Sequence, residues 1–367
     1  MPATHIPVTP QDISAVWLTN ALRRSGVITN AAVEKVEAQV IGVGLGFTSQ
    51  LARLTVGYED LDAVGPRSMI AKAPSLHQST REAMAASGVY ERELRFYERL
   101  APSITLTVPR CYFNASDPET GDFVLLLEDL ATTATSRQIP EDACSVEDAD
   151  FAVRQLAKLH AAWWEAPALD KLSWIPNFNS RAEEVRDSFV RLWPVFLDRW
   201  GSFIPDSMHR IGELIGEHIV YVKDYLSQSP RTLLHGDFRL DNMFFNEMGQ
   251  TQALALLDWQ GYRRGMAAYD VAYFIGEVVD AGRHATDGVR LLASYHDALV
   301  GAGIRGYTFE QCHADYRVAH IERAAFVVRV CASLDLSSSR EQQLAERGVR
   351  NMVASLVELD AVELLPG

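Results

Sequence analysis

An α+β fold is predicted by the order in which two periodicities occur along the chain. Residues 33 to about 127 read as strands, with apolar residues alternating or running in short blocks between turn signals. Beyond about residue 145 the pattern turns mainly helical, and that order of elements is the α+β one. A length of 367 residues exceeds the roughly 250–300 at which one hydrophobic core stops growing, so two lobes are expected. The expected division is a helical extension over 1–32, a small β-rich lobe over 33–130 and a larger, mainly helical lobe over 131–367.

Taken in order, Thr9-Pro10-Gln11-Asp12 has the composition of a helix start, with Thr as N-cap, Pro at the first helical position and Asp in the first turn. Ile13, Val16, Trp17 and Leu22 follow at helical spacing, and Gly26 is the expected stop. From Val33 alternation takes over through Val36, Ala38 and Val40. It resumes at Leu51, Leu54 and Val56 after GVGLGFTSQ, which gives two strands joined by a glycine-rich turn. That turn lacks the Gly-Lys-Ser/Thr of a Walker loop and does not open a helix, but a hairpin with exposed backbone N–H groups can cover nucleotide phosphates. Gly44, Gly46, Thr48 and Ser49 are its candidate phosphate contacts.

The next strand, 68–73, carries Lys72 in the run MIAKAP, where an ammonium must find a partner because an unpaired buried charge is costly. The helix expected over 80–100 supplies one. Glu93 is favoured over Glu91, since its spacing to Phe96 and Tyr97 fits a face turned toward the sheet. Strands over 109–114 and 122–127 follow, and the second opens into Glu128-Asp129-Leu130, a connector whose main chain at Glu128 and Leu130 could bond an adenine edge. Ser145-Val146-Glu147-Asp148 resembles a capping box, and it starts an amphipathic helix through Leu156, Leu159, His160 and Trp163. Trp163, Trp164, Trp174, Phe178, Phe189, Trp193, Phe196, Trp200 and Phe203 make the richest aromatic stretch, most of it helix-packing material.

The densest chemistry lies in LLHGDFRLDN, residues 233–242, followed by ALLDWQ, residues 255–260. Each segment is a short apolar strand that opens on polar groups. Asp237 and Asn242 leave the first, and Asp258 ends the second. Phosphoryl transfer asks little covalent chemistry of a protein, but it needs a carboxylate to orient the attacking hydroxyl and oxygen ligands for Mg²⁺. Asp237 fits the first role, Asn242 and Asp258 the second, and His235 reads as a ring that props the loop.

With these residues in hand, the chain resembles the aminoglycoside phosphotransferase and choline kinase-like superfamily, and is most similar to its ecdysteroid-kinase-like and bacterial small-molecule phosphotransferase branches. The resemblance runs from about residue 33 to the end and is strongest over LLHGDFRLDNMFF and ALLDWQ. It implies a bilobal protein-kinase-like fold and an ATP- and Mg²⁺-dependent kinase acting on a hydroxyl of a small molecule. Asp237 would be the catalytic aspartate, Asn242 and Asp258 the Mg²⁺ ligands, Lys72 the phosphate-binding lysine and Glu93 its partner, with Asp270 bracing the catalytic loop. The glycine loop matches only loosely. Asp-Trp-Gln stands where protein kinases have Asp-Phe-Gly, with no space for an activation loop before the next helix and no Ala-Pro-Glu after it. Protein acceptors are therefore not expected. The long insertion after Leu130 is where this superfamily holds its acceptor; the acidic balance and many tryptophans suit a cationic amine such as choline or an aminoglycoside, the apolar, aromatic insertion equally suits a steroid- or polyketide-like alcohol, and the alcohol is slightly favoured. A nucleotide-binding module without transfer is the alternative in another class.

Composition narrows the partners. A hydrophobic content of 48% with 22% charged residues is ordinary for a globular protein. A formal net charge of −14 argues against nucleic acid, which is bound through clustered Lys and Arg. No apolar run approaches the ~18 residues of a membrane span, and MPATHIPVTPQD lacks the regions of a secretory signal, so a cytoplasmic protein without a membrane partner is expected. Cys111, Cys144, Cys312 and Cys331 are scattered, with no C-x-x-C pair to imply zinc or disulfides. Nothing in the pattern specifies an oligomeric state.

Overall fold

The computed structural model describes residues 6–41, 49–60, 62–132, 136–140, 143–248, 251–333 and 339–366. In chain order its elements begin with α1 (Ala15–Arg24), β1 (Val33–Ile41), β2 (Ser49–Tyr58), β3 (Ser68–Pro74), α2 (Gln78–Ala86), α3 (Val89–Arg95), β4 (Cys111–Asp117), β5 (Asp122–Glu128) and β6 (Ser136–Arg137). There follow α4 (Val146–Ala162), α5 (Pro167–Lys171), α6 (Ala182–Trp200), α7 (Ser207–Tyr225), β7 (Thr232–Leu234), β8 (Met243–Met248), β9 (Thr251–Leu256) and β10 (Arg263–Gly265). Helices α8 (Ala268–Val278), α9 (Val289–Gly301), α10 (Phe309–Ser333) and α11 (Ser339–Glu358) complete the chain. Two compact units result, Met1–Arg137 with Phe244–Gly261, and Gln138–Met243 with Tyr262–Gly367. The α+β order of elements is as the sequence predicts.

The first unit is built on an antiparallel sheet of order β1-β2-β3-β5-β4. Ala52, Leu54, Val56 and Tyr58 of β2 are buried at period two, whereas β5 is apolar and buried throughout 123–127. On one face Leu18 and Leu22 of α1 join Leu54, Val56, Met69, Phe113, Val124 and Leu126 in one core, and Trp17 meets Phe113 edge-on at 5.5 Å. The amino-terminal helix therefore shares the core of the sheet. Its start differs from the single helix expected at Thr9. Asp12 accepts from Thr9 N–H (3.0 Å) and Oγ1 (2.8 Å) and closes a separate 3₁₀ turn over Pro10–Asp12, and Ser14 then caps α1 by accepting from Trp17 N–H at 3.2 Å. The helix expected over 80–100 is likewise divided. Gly88 sits at φ +68, a left-handed conformation that ends α2 before α3 begins. The chain after α3 widens into a π turn over Phe96–Leu100.

In the second unit Ser145 caps α4, accepting from Asp148 N–H at 3.1 Å. Helix α10 packs against α6, α7, α8, α9 and α11 and is buried on several faces. Its Glu322 pairs with Lys223 of α7 at 2.6 Å, with the ammonium 4.7 Å from the centre of the Phe178 ring. The aromatic stretch is mostly packing. Phe178, Phe189, Phe196 and Trp200 are buried, and Phe189, Trp193 and Phe196 stack along α6 at 5.7 and 5.4 Å. Among the described residues no helix is long and apolar enough to cross a membrane.

Gly212 of α7 lies directly against that stack. A Cβ there would stand 2.1 Å from Trp193, whose ring would have to leave its stack between two phenylalanines to make room. Gly212→Ala is expected to destabilise the protein by about 1–3 kcal/mol through overpacking, despite the better helix propensity of alanine, as read from urea unfolding midpoints.

Candidate functional site

Lys72 lies on β3, paired across to Leu51 and Leu125, so its side chain leaves the middle of the sheet rather than an edge. The side chain is 7% exposed, and its ammonium meets Glu93 Oε2 at 2.6 Å and Asp258 Oδ1 at 3.2 Å. Burial alone would strip the proton, but the charges of Asp258 and Glu93 raise the lysine pKa above its ordinary value. Glu91 does not compete, because it pairs with Arg95 one turn along α3. Asp258 itself has φ +57, a left-handed backbone that costs an L residue roughly 1–2 kcal/mol. Such strain persists where the surroundings over-determine it. Here its Oδ1 is held by Lys72 and its Oδ2 by Gln260 Nε2 at 3.1 Å. The next residue, Trp259, is fully buried and stacked on Phe96 at 4.2 Å with planes 10° apart.

The second unit holds Asp237 and Asn242. The Asn242 amide donates both to the Asp237 main-chain oxygen and to its carboxylate Oδ2, each at 2.9 Å, which fixes the loop between them. Below the loop lies Asp270 of α8, fully buried, accepting from His235 N–H at 2.7 Å and Gly236 N–H at 2.9 Å. His160 of α4 donates to it from Nε2 at 3.3 Å, while its Nδ1 meets Tyr295 Oη at 2.7 Å; the carboxylate can only accept, which sets the tautomer. Burial pushes the Asp270 carboxyl up, but the His160 hydrogen bond, the neighbouring imidazoles and the Gly236 N–H outweigh it and hold the group below its ordinary range. His235 accepts from Asp237 N–H at 3.3 Å, so it props the loop as its position implies. Arg239 is two residues beyond Asp237 and pairs with Asp241 at 2.7 Å. Burial would lower its pKa, yet Asp237 and Asp241 raise it further than burial lowers it.

Two clusters of expected site residues are therefore assembled, Lys72 with Glu93 and Asp258, and Asp237 with Asn242. Ser49 begins β2 opposite Pro74, and its Oγ is buried without a hydrogen-bond partner among the described residues. Gly44, Gly46 and Thr48 lie outside the described residues. Glu128 Oε2 accepts from Arg110 N–H at 3.1 Å, and Leu130 joins Phe244, Ala255 and Leu257 in a small apolar cluster. Between them Asp129 went unnoticed in the sequence. Its carboxylate takes Arg53 Nε at 2.6 Å and Ser68 Oγ, and tethers the connector to β2 and β3. The roles of His160 and Arg92 also escape sequence reasoning, since Asp270 and Gln260 lie far away along the chain, as does the role of Gln260, whose side chain turns back on Asp258 two residues before it.

The model of the ecdysteroid kinase-like family matches residues 43–303. No curated protein matches the chain by sequence. Among solved structures, a protein assigned as an aminoglycoside phosphotransferase from Ralstonia eutropha JMP134 is similar at TM-score 0.58 and 15% identity, over 95% of this chain and 98% of that one. The aminoglycoside phosphotransferase APH(2″)-IIIa, solved with GDP and kanamycin, is similar at 0.52 and 14%, over 93% and 98%. Choline kinase from Cryptosporidium parvum Iowa II is similar at 0.53 and 11%, over 89% of each chain. At these identities the likeness shows a shared kinase-like fold.

The Asp270 brace makes a prediction about acid. A carboxylate with a depressed folded-state pKa adds stability that is complete above its unfolded value, near pH 4, and is lost as pH falls through the folded one. Asp270→Asn can accept only one of the two loop N–H groups and is expected to destabilise by about 1–3 kcal/mol at neutral pH. Urea unfolding from pH 7 down to pH 3 should show the gap between the two proteins constant to about pH 4 and narrowing below it.

Proposed function

This chain belongs to the ecdysteroid kinase-like family, and from that premise we propose that it transfers the γ-phosphoryl group of ATP to a hydroxyl of a small molecule. The observation that carries the reading is the buried ammonium of Lys72 held between Glu93 and the strained Asp258. A bare structural ion pair needs one carboxylate; a second, held at φ +57 with its side chain 28% exposed, serves something that approaches from outside.

The residues present suit Mg²⁺. Both amide hydrogens of Asn242 are used on Asp237, which leaves its carbonyl oxygen as a hard donor. Each oxygen of Asp258 keeps a lone pair beyond those engaged by Lys72 and Gln260. Mg²⁺ is commonly held by one or two carboxylates with substrate phosphates rather than by an all-protein cage. When bound, it would neutralise charge on the phosphate oxygens. Lys72 would bind the α- and β-phosphates, with Glu93 fixing the direction of its ammonium. Asp237 orients the acceptor hydroxyl and accepts its proton as that oxygen bonds to the γ-phosphorus and the bond to ADP breaks.

The second unit supports a neutral, largely apolar acceptor. Among the described residues its buried carboxylates each carry a partner: Glu322 takes Lys223 on Oε1, Asp315 takes the phenols of Tyr225 and Tyr307, and Asp270 takes the loop N–H groups. A cationic amine would be faced by a carboxylate or by an aromatic cage. Tyr269 and Tyr273 instead have their phenols raised by burial, with Asp237 among the charges that push them further, and Tyr273 packs on Phe326 at 5.4 Å. Both phenol rings are buried, so they add apolar, neutral packing to this unit.

Incubation with ATP, Mg²⁺ and hydroxylated sterol- or polyketide-like alcohols should form ADP and phosphorylated product, and choline or kanamycin should form much less. Nucleotide binding without turnover on any acceptor would favour a non-transferring module. Asp237→Asn is expected to keep ATP binding while turnover falls by about 10² or more, the scale of losing a general base. Asp258→Ala should remove the Mg²⁺ dependence of nucleotide binding, measured by calorimetry with and without the metal.

A further inference from the structure

We infer that Gln260 and Arg92 are positioning residues for the metal-binding carboxylate, and that they set the affinity for Mg²⁺ without touching nucleotide or acceptor. The inference rests on the assignment of Asp258 as a metal ligand. Its evidence is that α3 grips residues 258, 259 and 260 one after another. Glu93 holds Lys72, which holds Asp258 Oδ1. Phe96, in the turn that continues α3, stacks on Trp259 at 4.2 Å, and Trp259 Nε1 donates to Leu256 O at 3.2 Å. Arg92 Nε donates to Gln260 O at 3.1 Å, and its Nη1 donates to Ser87 O at 2.8 Å where α2 meets α3. Gln260 closes the circuit, because its Nε2 donates to Asp258 Oδ2 at 3.1 Å.

The chemistry of that last contact decides its purpose. A carboxylate whose two oxygens are each held by one N–H donor cannot rotate about its terminal bond, and it keeps one lone pair per oxygen for a cation. A Gln side chain supplies the N–H without adding charge. The backbone at 258, at φ +57, is one that L side chains rarely adopt. The main-chain anchor from Arg92 to Gln260 and the Phe96 stack keep the segment there. Partners that orient a ligating carboxylate are worth about 10–100-fold in metal affinity when lost.

Gln260→Met keeps the length of the side chain and removes the donor; Arg92→Met removes the anchor and keeps the methylene stem. Binding of Mn²⁺ in the presence of a nonhydrolysable ATP analogue, followed by electron paramagnetic resonance, is expected to weaken at least tenfold in each variant. The Mg²⁺ concentration for half-maximal turnover should rise by the same factor, with turnover recovered at high Mg²⁺ and the metal-free melting temperature of Gln260→Met unchanged. Metal titrations that superimpose on the wild type would overturn the inference, as would turnover lost at saturating Mg²⁺. Asp258→Ala, measured alongside, separates the two claims. If it retains metal-dependent nucleotide binding, the functional assignment itself fails; if it loses that binding while Gln260→Met behaves as wild type, only the positioning role fails.

Discussion

A buried ammonium is the constraint from which the first unit is organised. Lys72 leaves the middle of a five-stranded sheet into surroundings where an isolated charge would deprotonate. Two carboxylates keep it charged, and each arrives from a different element, Glu93 from α3 and Asp258 from the end of β9. The sheet, the helix and the β9 end are therefore fixed by one point of electrostatic balance. Removing Lys72 would leave Glu93 as an uncompensated buried charge, whereas removing either carboxylate leaves the ammonium paired with the other.

Buried carboxylates do comparable work elsewhere, through hydrogen bonds rather than ion pairs alone. Asp270 collects two loop N–H groups and an imidazole under the Asp237 loop, and Asp129 collects Arg53, Ser68 and the N–H of Ala131 at the connector after β5. In both places backbone donors that would otherwise need water, in a loop at Asp270 and in a 3₁₀ turn at Asp129, are satisfied by one acidic side chain. Asp129 has its pKa lowered despite burial, chiefly by the Arg53 and Ser68 hydrogen bonds.

Much of this was legible in the sequence because it is local. Alternation placed β1, β2 and β3, the Ser145 cap placed α4, and the spacing in LLHGDFRLDN placed Asp237 with Asn242. Lys72 with Glu93 was readable because a charge in an apolar strand demands a partner, and of Glu91 and Glu93 on the next helix only Glu93 shares a face with Phe96 and Tyr97. Local rules failed where a single residue broke an otherwise regular period, as at Gly88, and where a second cap competed with the first, as at Ser14. They were silent on contacts made at long range. Arg53 to Asp129, His160 to Asp270 and Arg92 to Gln260 join residues with no periodic relation, and the left-handed turn at Asp258 has no glycine or asparagine to announce it.

That turn bears on how such a chain can lose its chemistry over time. At a left-handed position Gly and Asn sit with little strain, whereas a β-branched residue meets a steric penalty in addition to whatever charge it removes. On the proposed assignment of Asp258 to the metal, a relative that had lost transfer but kept this fold would accept Gly there with the least backbone strain, since Gly removes the carboxylate and fits the left-handed turn. Gly at this one place, in an otherwise intact relative, is the scar that the proposal leads one to look for.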